Sequence, residues 1–208
     1  TTDTAAGLGS DVELFGFTQT TADGKGLKGN VVSTAVLADT DLVKINDVLI
    51  GASLLDSASS KADAINKLTS EHGVTANASS KMAIDLDFTV SAPGAAEWEV
   101  QGAVIDISGA DNTKDVADLI NADTGVGDVY ATVSATGLLE LSSASGQNIV
   151  VFSSESGFAI TAEDGNDNAL TAASNVFTAF GQITLSTVDG SSRSISARSS
   201  ASITDSEL

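Results

Sequence analysis

Apolar residues recur every third or fourth position in three short stretches, which predicts three helices of about three turns each. With their apolar stripes they are 59–71 (Ala62, Ile65, Leu68), 112–122 (Val116, Leu119, Ile120) and 167–181 (Leu170, Ala173, Phe177, Phe180). The expected N-caps are Ser59 or Ser60 for the first helix and Asn112 or Thr113 for the second, and the expected stops are Gly73 and Gly125. Helices this short are marginal alone, so each is expected to pack its stripe on a sheet.

Much of the remaining sequence alternates between apolar and polar residues, as strands with one buried face do. Ile84, Leu86 and Phe88 alternate with Asp85 and Asp87 and predict a half-buried strand. Further predicted strands lie at 43–50 and 97–101, and a hairpin is expected in which 139–141 and 149–151 flank the turn 142–147. Three similar hairpin stretches, each with an apolar start, a Ser/Thr pair and a later glycine, are 17–27, 139–149 and 183–193.

The order of these elements predicts a repeated unit. Residues 44–79 read as a strand, a polar spacer, a short helix and a second strand, and 103–134 read the same way. We therefore expect an α+β fold of antiparallel sheets and hairpins, each covered by a short helix, with the unit duplicated in two subdomains. The X-Pro step at Pro93–Gly94 interrupts regular structure, so the subdomains are placed at 1–93 and 94–208.

Charge and composition exclude several classes of function. The 208 residues carry a net charge of −19, which repels nucleic-acid phosphates and anionic lipid headgroups, so neither nucleic acid nor membrane is expected as a partner. The absence of cysteine excludes disulfides, thiolate nucleophiles and cysteine-based metal sites. The sequence contains no run of eighteen apolar residues. Its amino end has neither the features of a signal peptide nor an initiator Met, so we expect an excised piece or a processed product.

Several short motifs resemble the insertion motif of bacterial flagellins. The first copy, expected within 43–79, contains KINDVLIG (44–51), AIN (64–66) and GVTA (73–76). The second, expected within 103–151, contains DLIN (118–121), TGV (124–126), YATVS (130–134) and the ending LLELSSASGQNIVV (138–151). TTADGKGLKG (20–29) resembles the ending of a preceding unit. Nothing in the sequence resembles the long terminal helices that build a flagellin filament core.

The resemblance implies the central variable, surface-exposed outer region of a flagellin, a structural protein of the extracellular filament used for motility. Such a chain would be exported without a cleaved signal peptide, and its partners would be other flagellin subunits, mainly through core regions absent here. No cofactor is implied. Runs rich in Ser and Thr that would accept O-glycans are 77–80, 142–145 and 191–202. The alternative is a surface-binding module, either an adhesin or a domain like the flagellar filament cap, recognising a host or glycan ligand.

The titratable residues predict no catalytic, cofactor or metal site. His72, the only histidine, is expected at a solvent-exposed helix end beside Glu71, where a cation is favourable. The acidic and amide residues of 163–168 offer oxygen ligands but lack the order of a calcium loop. Asp85 and Asp87 are expected on an exposed strand face, and Trp98 in the core rather than against a sugar. A carboxylate-dependent hydrolase would need two acids converging in a pocket, which no sequence pattern requires.

Overall fold

The structure of the protein is a computed structural model, and it describes residues 26–86, 88, 97–153, 160–188 and 195–199. The described strands are β1 (Gly26–Val31), β2 (Val43–Ile45), β3 (Val48–Leu49), β4 (Val74–Leu86), β5 (Glu97–Val100), β6 (Ala103–Asp106), β7 (Val129–Val133), β8 (Leu139–Ser143), β9 (Ile149–Ser153), β10 (Ile160–Asp164), β11 (Ala169–Leu170), β12 (Val176–Ala179), β13 (Gln182–Thr187) and β14 (Ala197–Ser199). The helices are α1 (Ala58–Asn66), α2 (Thr69–His72) and α3 (Thr113–Ala122), with short 3-10 helices at Asp39–Asp41 and Thr124–Val126. The predicted fold class, α+β with mainly antiparallel sheets and a few short helices, is confirmed.

The chain divides into two compact units. Unit one comprises 1–78 and 182–208, and unit two comprises 79–181. This division differs from the predicted one because the end of the chain returns to its beginning: β13 pairs with β1, and β14 pairs with β2. The predicted boundary at Pro93–Gly94 lies outside the described residues.

Unit one contains two small sheets and the helices α1 and α2. Strand β13 lies between β1 and the first residues of β4, and the second sheet has the order β14-β2-β3. Helix α1 packs against β13. The buried side chains of this unit are aliphatic, among them Leu37, Ile45, Ile65 and Leu185.

Unit two also contains two sheets. One runs β7-β8-β4-β10-β11, using the later residues of β4, and the other runs β12-β9-β5-β6. Helix α3 packs on β7, β8 and β6. One hydrophobic cluster fills the unit and includes Trp98, Ile120, Leu139 and Val151, all fully buried.

The predicted hairpin across 142–147 is wrong. Strand β8 pairs with β4 and β7, whereas β9 pairs with β5 and β12 in the other sheet of unit two. The turn therefore carries the chain from one sheet to the other. Both strands bury alternate residues in the same core, so their sequence pattern is the pattern that a hairpin would show.

The first two predicted helices are present with adjusted ends. The stretch 59–71 forms α1 and α2, and the cap is Ser57, not Ser59 or Ser60. Gly73 stops α2 in the left-handed conformation at φ 72°, as predicted. Asn112 caps α3 as predicted, but that helix ends at Ala122, with Asp123 as its C-cap, before reaching Gly125.

The third predicted helix, 167–181, is wrong. The segment forms β11 and β12, and Phe177 and Ala179 are buried while their neighbours in β12 are only half-buried. Ser174 and Asn175 both have positive φ, 52° and 64°, so the chain reverses between the strands where a helix would continue. The three-residue spacing of apolar side chains in this segment matched a helix by coincidence.

Two other strand predictions change. The stretch 43–50 is the hairpin β2–β3 rather than one strand, because Asn46 and Asp47 have positive φ, 48° and 67°. The segments predicted around 73–76 and 84–88 belong to one 13-residue strand, β4. Of the hairpin predicted at 17–27, the structure describes only Gly26 and Leu27, which begin β1. Most of the turn in 183–193 lies outside the described residues, which include β13.

Candidate functional site

The first predicted insertion motif and the second one, together with residues 97–102 that precede the second, form similar local structure in each unit, beginning with a hairpin. The turn of β2–β3 is Asn46–Asp47, and the turn of β5–β6 is Gln101–Gly102. Both residues of each turn have positive φ, 48° and 67° in the first and 55° and 79° in the second. This is the two-residue turn whose twist matches that of paired strands.

The first residue of each turn binds the neighbouring strand through its backbone and its carboxamide. Asn46 donates its N–H to Ser196 O at 2.8 Å and accepts from Ser196 N at 2.9 Å through Oδ1. Gln101 donates its N–H to Val150 O at 2.9 Å and accepts from Val150 N at 3.0 Å through Oε1. The side chain thus extends the ladder of hydrogen bonds one step beyond the strand.

A helix follows each hairpin with the same cap and the same buried positions. Ser57 and Asn112 each accept a hydrogen bond from the amide three residues further on, at 3.2 and 3.1 Å. Eight residues after the caps, Ile65 and Ile120 are fully buried. The cap fixes the start of the helix and the buried isoleucine holds its last turn against the sheet.

An asparagine directly after that isoleucine joins the helix to the next strand. Asn66 donates through Nδ2 to Ala76 O and accepts from Ala76 N through Oδ1, both at 2.8 Å. Asn121 makes the same two bonds with Ala131, again both at 2.8 Å. The asparagine is ten residues before its alanine in both cases. The carboxamide therefore binds both polar groups of one backbone residue, as a neighbouring strand would.

These equivalent residues all differ by 55 in number: Asn46 and Gln101, Ser57 and Asn112, Asn66 and Asn121, Ala76 and Ala131. The sequence signal for the asparagine bonds was present in the tripeptides AIN and LIN, but their backbone partners could not be read from it. The sheets around the two hairpins differ in strand number. The duplication of whole subdomains remains a prediction.

The acidic residues of unit two include three that line an open cleft of about 500 Å³. Its lining residues are Asp106, Ser108, Gly109, Asp115, Asp118 and Leu119. Hydrogen bonds from Ser108 hold the pKa of Asp106 below its ordinary value. Asp115 accepts from two neighbouring N–H groups at 3.0 and 2.9 Å, and Asp118 pairs with Lys114, whose pKa it raises. Each carboxylate thus has a local partner that accounts for its position.

The acidic turn at 163–168 is organised by its own side chains. Asp164 is buried and accepts from the amides of Asn166 and Asn168 at 2.8 and 3.1 Å, and from the Asn168 carboxamide. The backbone N–H of Asp164 also donates to Asn168 O at 2.9 Å. These bonds are those of an Asx turn between β10 and β11. Within the described residues, no three His, Asp or Glu side chains are grouped so that they could hold a metal ion.

His72 lies at the end of α2, as predicted, but it is buried, so the prediction that it is exposed to solvent is wrong. Its Nδ1 accepts from Val74 N at 3.1 Å, and its Nε2 lies 3.0 Å from Ile65 O. Because Nδ1 accepts from Val74 N, Nε2 is the nitrogen that donates to Ile65 O. Both ring nitrogens are therefore engaged in joining α1 to β4.

The other two candidates occupy ordinary positions in sheets. Asp85 is exposed on β4 opposite Thr161, and Asp87 lies outside the described residues. Trp98 is fully buried in the core of unit two, as predicted, so its ring has no free face for a sugar.

Sequence reasoning missed the buried lysine of α1. The side chain of Lys61 is fully buried, and its Nζ donates to Ser33 O at 2.6 Å. Burial lowers the pKa of Lys61 to about 8, although the nearby Asp56 carboxylate acts in the opposite direction. No sequence signal marks it, because its oxygen partner lies 28 residues away.

Comparison with protein-family models gave no match, and neither did comparison with curated protein sequences. Among the helices described here, none is long and apolar enough to cross a membrane.

Proposed function

We propose that this chain is the surface-exposed outer region of a bacterial flagellin. In this proposal it is a structural part of the extracellular filament used for motility and performs no catalysis. Its partners are other flagellin subunits, which assemble through a helical core outside this region. Serine and threonine residues on its surface are acceptors for O-glycans, and no cofactor, nucleic acid or membrane takes part.

The observation that carries the proposal is the shared role of the asparagine in the two motifs. The segments that resemble flagellins include AIN and LIN, and in both the asparagine makes the same pair of 2.8 Å bonds to an alanine ten residues on. An unrelated chain that contained these tripeptides by chance would have no reason to use them identically. The shared local geometry therefore supports the motifs as a real feature of the chain.

The charge of the chain supports a displayed, non-catalytic role. A net charge of −19 keeps copies of the chain solvated and apart when a filament packs them close together. Asn66, Asn121 and Asp164 each make two or more side-chain hydrogen bonds to backbone groups of their own unit. Their bonding pattern organises the fold.

Deletion of residues 26–199 from the parent protein tests the proposal by electron microscopy of cells that secrete the shortened protein. We expect filaments that still assemble but are narrower, because the core that joins subunits is left intact. Cells that secrete the shortened protein but form no filament would show that the region belongs to the assembly core, and the proposal would fail.

A surface-binding module is the second candidate, and one exposed loop favours it. Leu54 and Leu55 are 85% and 63% exposed. The loop is nevertheless ordered, since Ser60 Oγ accepts from Leu55 N at 2.9 Å and Ser53 Oγ donates to Leu55 O at 2.8 Å. Two exposed leucines on a fixed loop are an unusual feature of a surface that needs only to be soluble.

A glycan and host-protein array separates the two candidates. Reproducible binding at micromolar concentration that is lost in the double variant Leu54→Ser, Leu55→Ser would favour the binding module. The double variant Val104→Ser, Val188→Ser removes two other exposed apolar side chains and serves as the matched control. Absence of binding by the unmodified chain would favour the filament role.

A further inference from the structure

Strand β7 lies at the edge of its sheet. Within the described residues it pairs with β8 alone. Its sequence, VYATV, contains neither a charged residue nor proline, although 18% of the chain is charged. Tyr130 is 59% exposed, and Val133 is also exposed. Uncharged, apolar edges of this kind pair readily with strands of other molecules.

The outward-facing backbone groups of this edge can be assigned from the bonds on each side. In an antiparallel strand the N–H and C=O of one residue point the same way, and consecutive residues alternate. Ser134, next to the strand, bonds Leu138 O at 2.9 Å on the side of β8. Val129, Ala131 and Val133 therefore present their N–H and C=O groups away from β8, with Ala131 at the centre.

Asn121 occupies that central position. Its carboxamide donates to Ala131 O and accepts from Ala131 N, both at 2.8 Å, so both outward groups are taken. The same side chain fills the space that the backbone of an added strand would need. Asn121 is itself exposed at the end of α3, so these bonds, rather than burial, hold it in place.

We propose that the Asn121 side chain blocks the edge of β7 and so prevents a second copy of this chain from pairing with that strand. Two β7 strands are self-complementary about Ala131, because antiparallel pairing puts Val129 opposite Val133 and Tyr130 opposite Thr132 of the other copy. No charge lies within the paired residues to oppose this contact. Removal of the carboxamide makes β7 a surface for pairing between two copies. This inference depends only on contacts within unit two and not on the proposed function.

The test compares the unmodified chain with Asn121→Ala by sedimentation velocity, at concentrations up to the order of 100 µM, where a micromolar Kd is detected. Alanine has a high helix propensity, so α3 is expected to form in the variant. We expect the unmodified chain to remain monomeric and the variant to form a dimer. Amide hydrogen exchange should then show new protection at Val129, Ala131 and Val133.

Two further variants make the result decisive. Adding Tyr130→Lys and Thr132→Lys to Asn121→Ala places like charges opposite each other in the paired strands and should restore the monomer. Asn121→Ser has a side chain too short to bridge to Ala131 and should also form a dimer. A folded monomer in either single variant would overturn the proposal, as would a dimer without protection of β7. Unfolding of both single variants would show that the carboxamide acts on stability alone, which also overturns it.

Discussion

Replacing Lys61 by Met gives the sharpest test of the energetics of unit one. The lysine is fully buried, and burial lowers its pKa from 10.5 to about 8. Val116 occupies the equivalent position of α3, four residues after its cap, and is also fully buried. Position 61 therefore belongs to the apolar face of the helix, and an unbranched apolar side chain fits where the lysine lies.

The size of the effect follows from the two pKa values. Moving from 10.5 to about 8 corresponds to about 3 kcal/mol, at about 1.4 kcal/mol for each pH unit. Below pH 8 the amine is charged in both the folded and unfolded states, so the folded state bears this cost in full. Between pH 8 and 10.5 the unfolded chain binds a proton that the folded chain does not, so stability rises with pH. Lys61→Met removes this dependence.

The expected result is a difference in stability that changes with pH. At pH 7, Lys61→Met gains about 3 kcal/mol from the removed charge and loses about 1–3 kcal/mol because Ser33 O loses its donor, so its net advantage is between zero and about 2 kcal/mol. As pH rises to 10.5, the stability of the variant relative to the unmodified chain should fall by about 3 kcal/mol. The sign of this change does not depend on the size of the hydrogen-bond contribution.

Urea unfolding followed by far-UV circular dichroism at pH 7, 9 and 10.5 measures this change. Lys67→Met removes the same charge at an exposed position just beyond the same helix, and subtracting its effect corrects for the altered net charge. If the stability of Lys61→Met relative to the unmodified chain stays constant from pH 7 to 10.5, or increases, the assignment of a buried charged amine is refuted.

Substitutions at three other positions test separate features. Partial burial raises the pKa of Asp128, but hydrogen bonds from Ser143 and Ser145 outweigh it and leave the pKa below 3.8. Asp128→Asn should thus cost less than about 1 kcal/mol at pH 7 because the group is exposed, and urea titrations should show the difference vanish as pH falls below 3.8. Trp98→Ala should cost about 3–5 kcal/mol, and Trp98→Phe much less; comparable losses in thermal unfolding would contradict the burial of the ring. Asn175→Gly, at φ 64°, should raise stability by up to about 1 kcal/mol in urea, and a loss would show that the Asn175 side chain supports the turn.

Helix α3 could be predicted because its cap residue and the spacing of its buried side chains both indicate the same helix. Asn112 caps it, and Val116 and Ile120 recur at the spacing that one buried face requires. At 167–181, where the predicted helix is wrong, the spacing of the apolar residues fitted both a helix and a pair of strands. Only the turn at Ser174–Asn175 distinguished the two. Asparagine is a residue type that tolerates positive φ, and the decisive signal lay in the turn rather than in the apolar residues.

Contacts between distant parts of the chain were beyond the reach of sequence reasoning. Strands β8 and β9 belong to different sheets, yet each buries alternate residues. The alternation of apolar and polar residues alone therefore predicts a hairpin. The burial of His72 depends on Ile65 O and Val74 N closing around the ring. In each case the partner is set by how elements pack, which a periodic pattern does not encode.

The asparagine bonds explain why the two motifs share their spacing while the residues between differ. Between Asn66 and Ala76 the chain forms the helix α2, whereas between Asn121 and Ala131 it forms a 3-10 turn, Thr124–Val126. Both connections contain a glycine with positive φ, 72° at Gly73 and 69° at Gly127. A carboxamide reaches both polar groups of one residue only when the helix end and the strand are at a fixed separation. The constraint therefore falls on the number of connecting residues and on the asparagine, and leaves the connecting sequence free to vary.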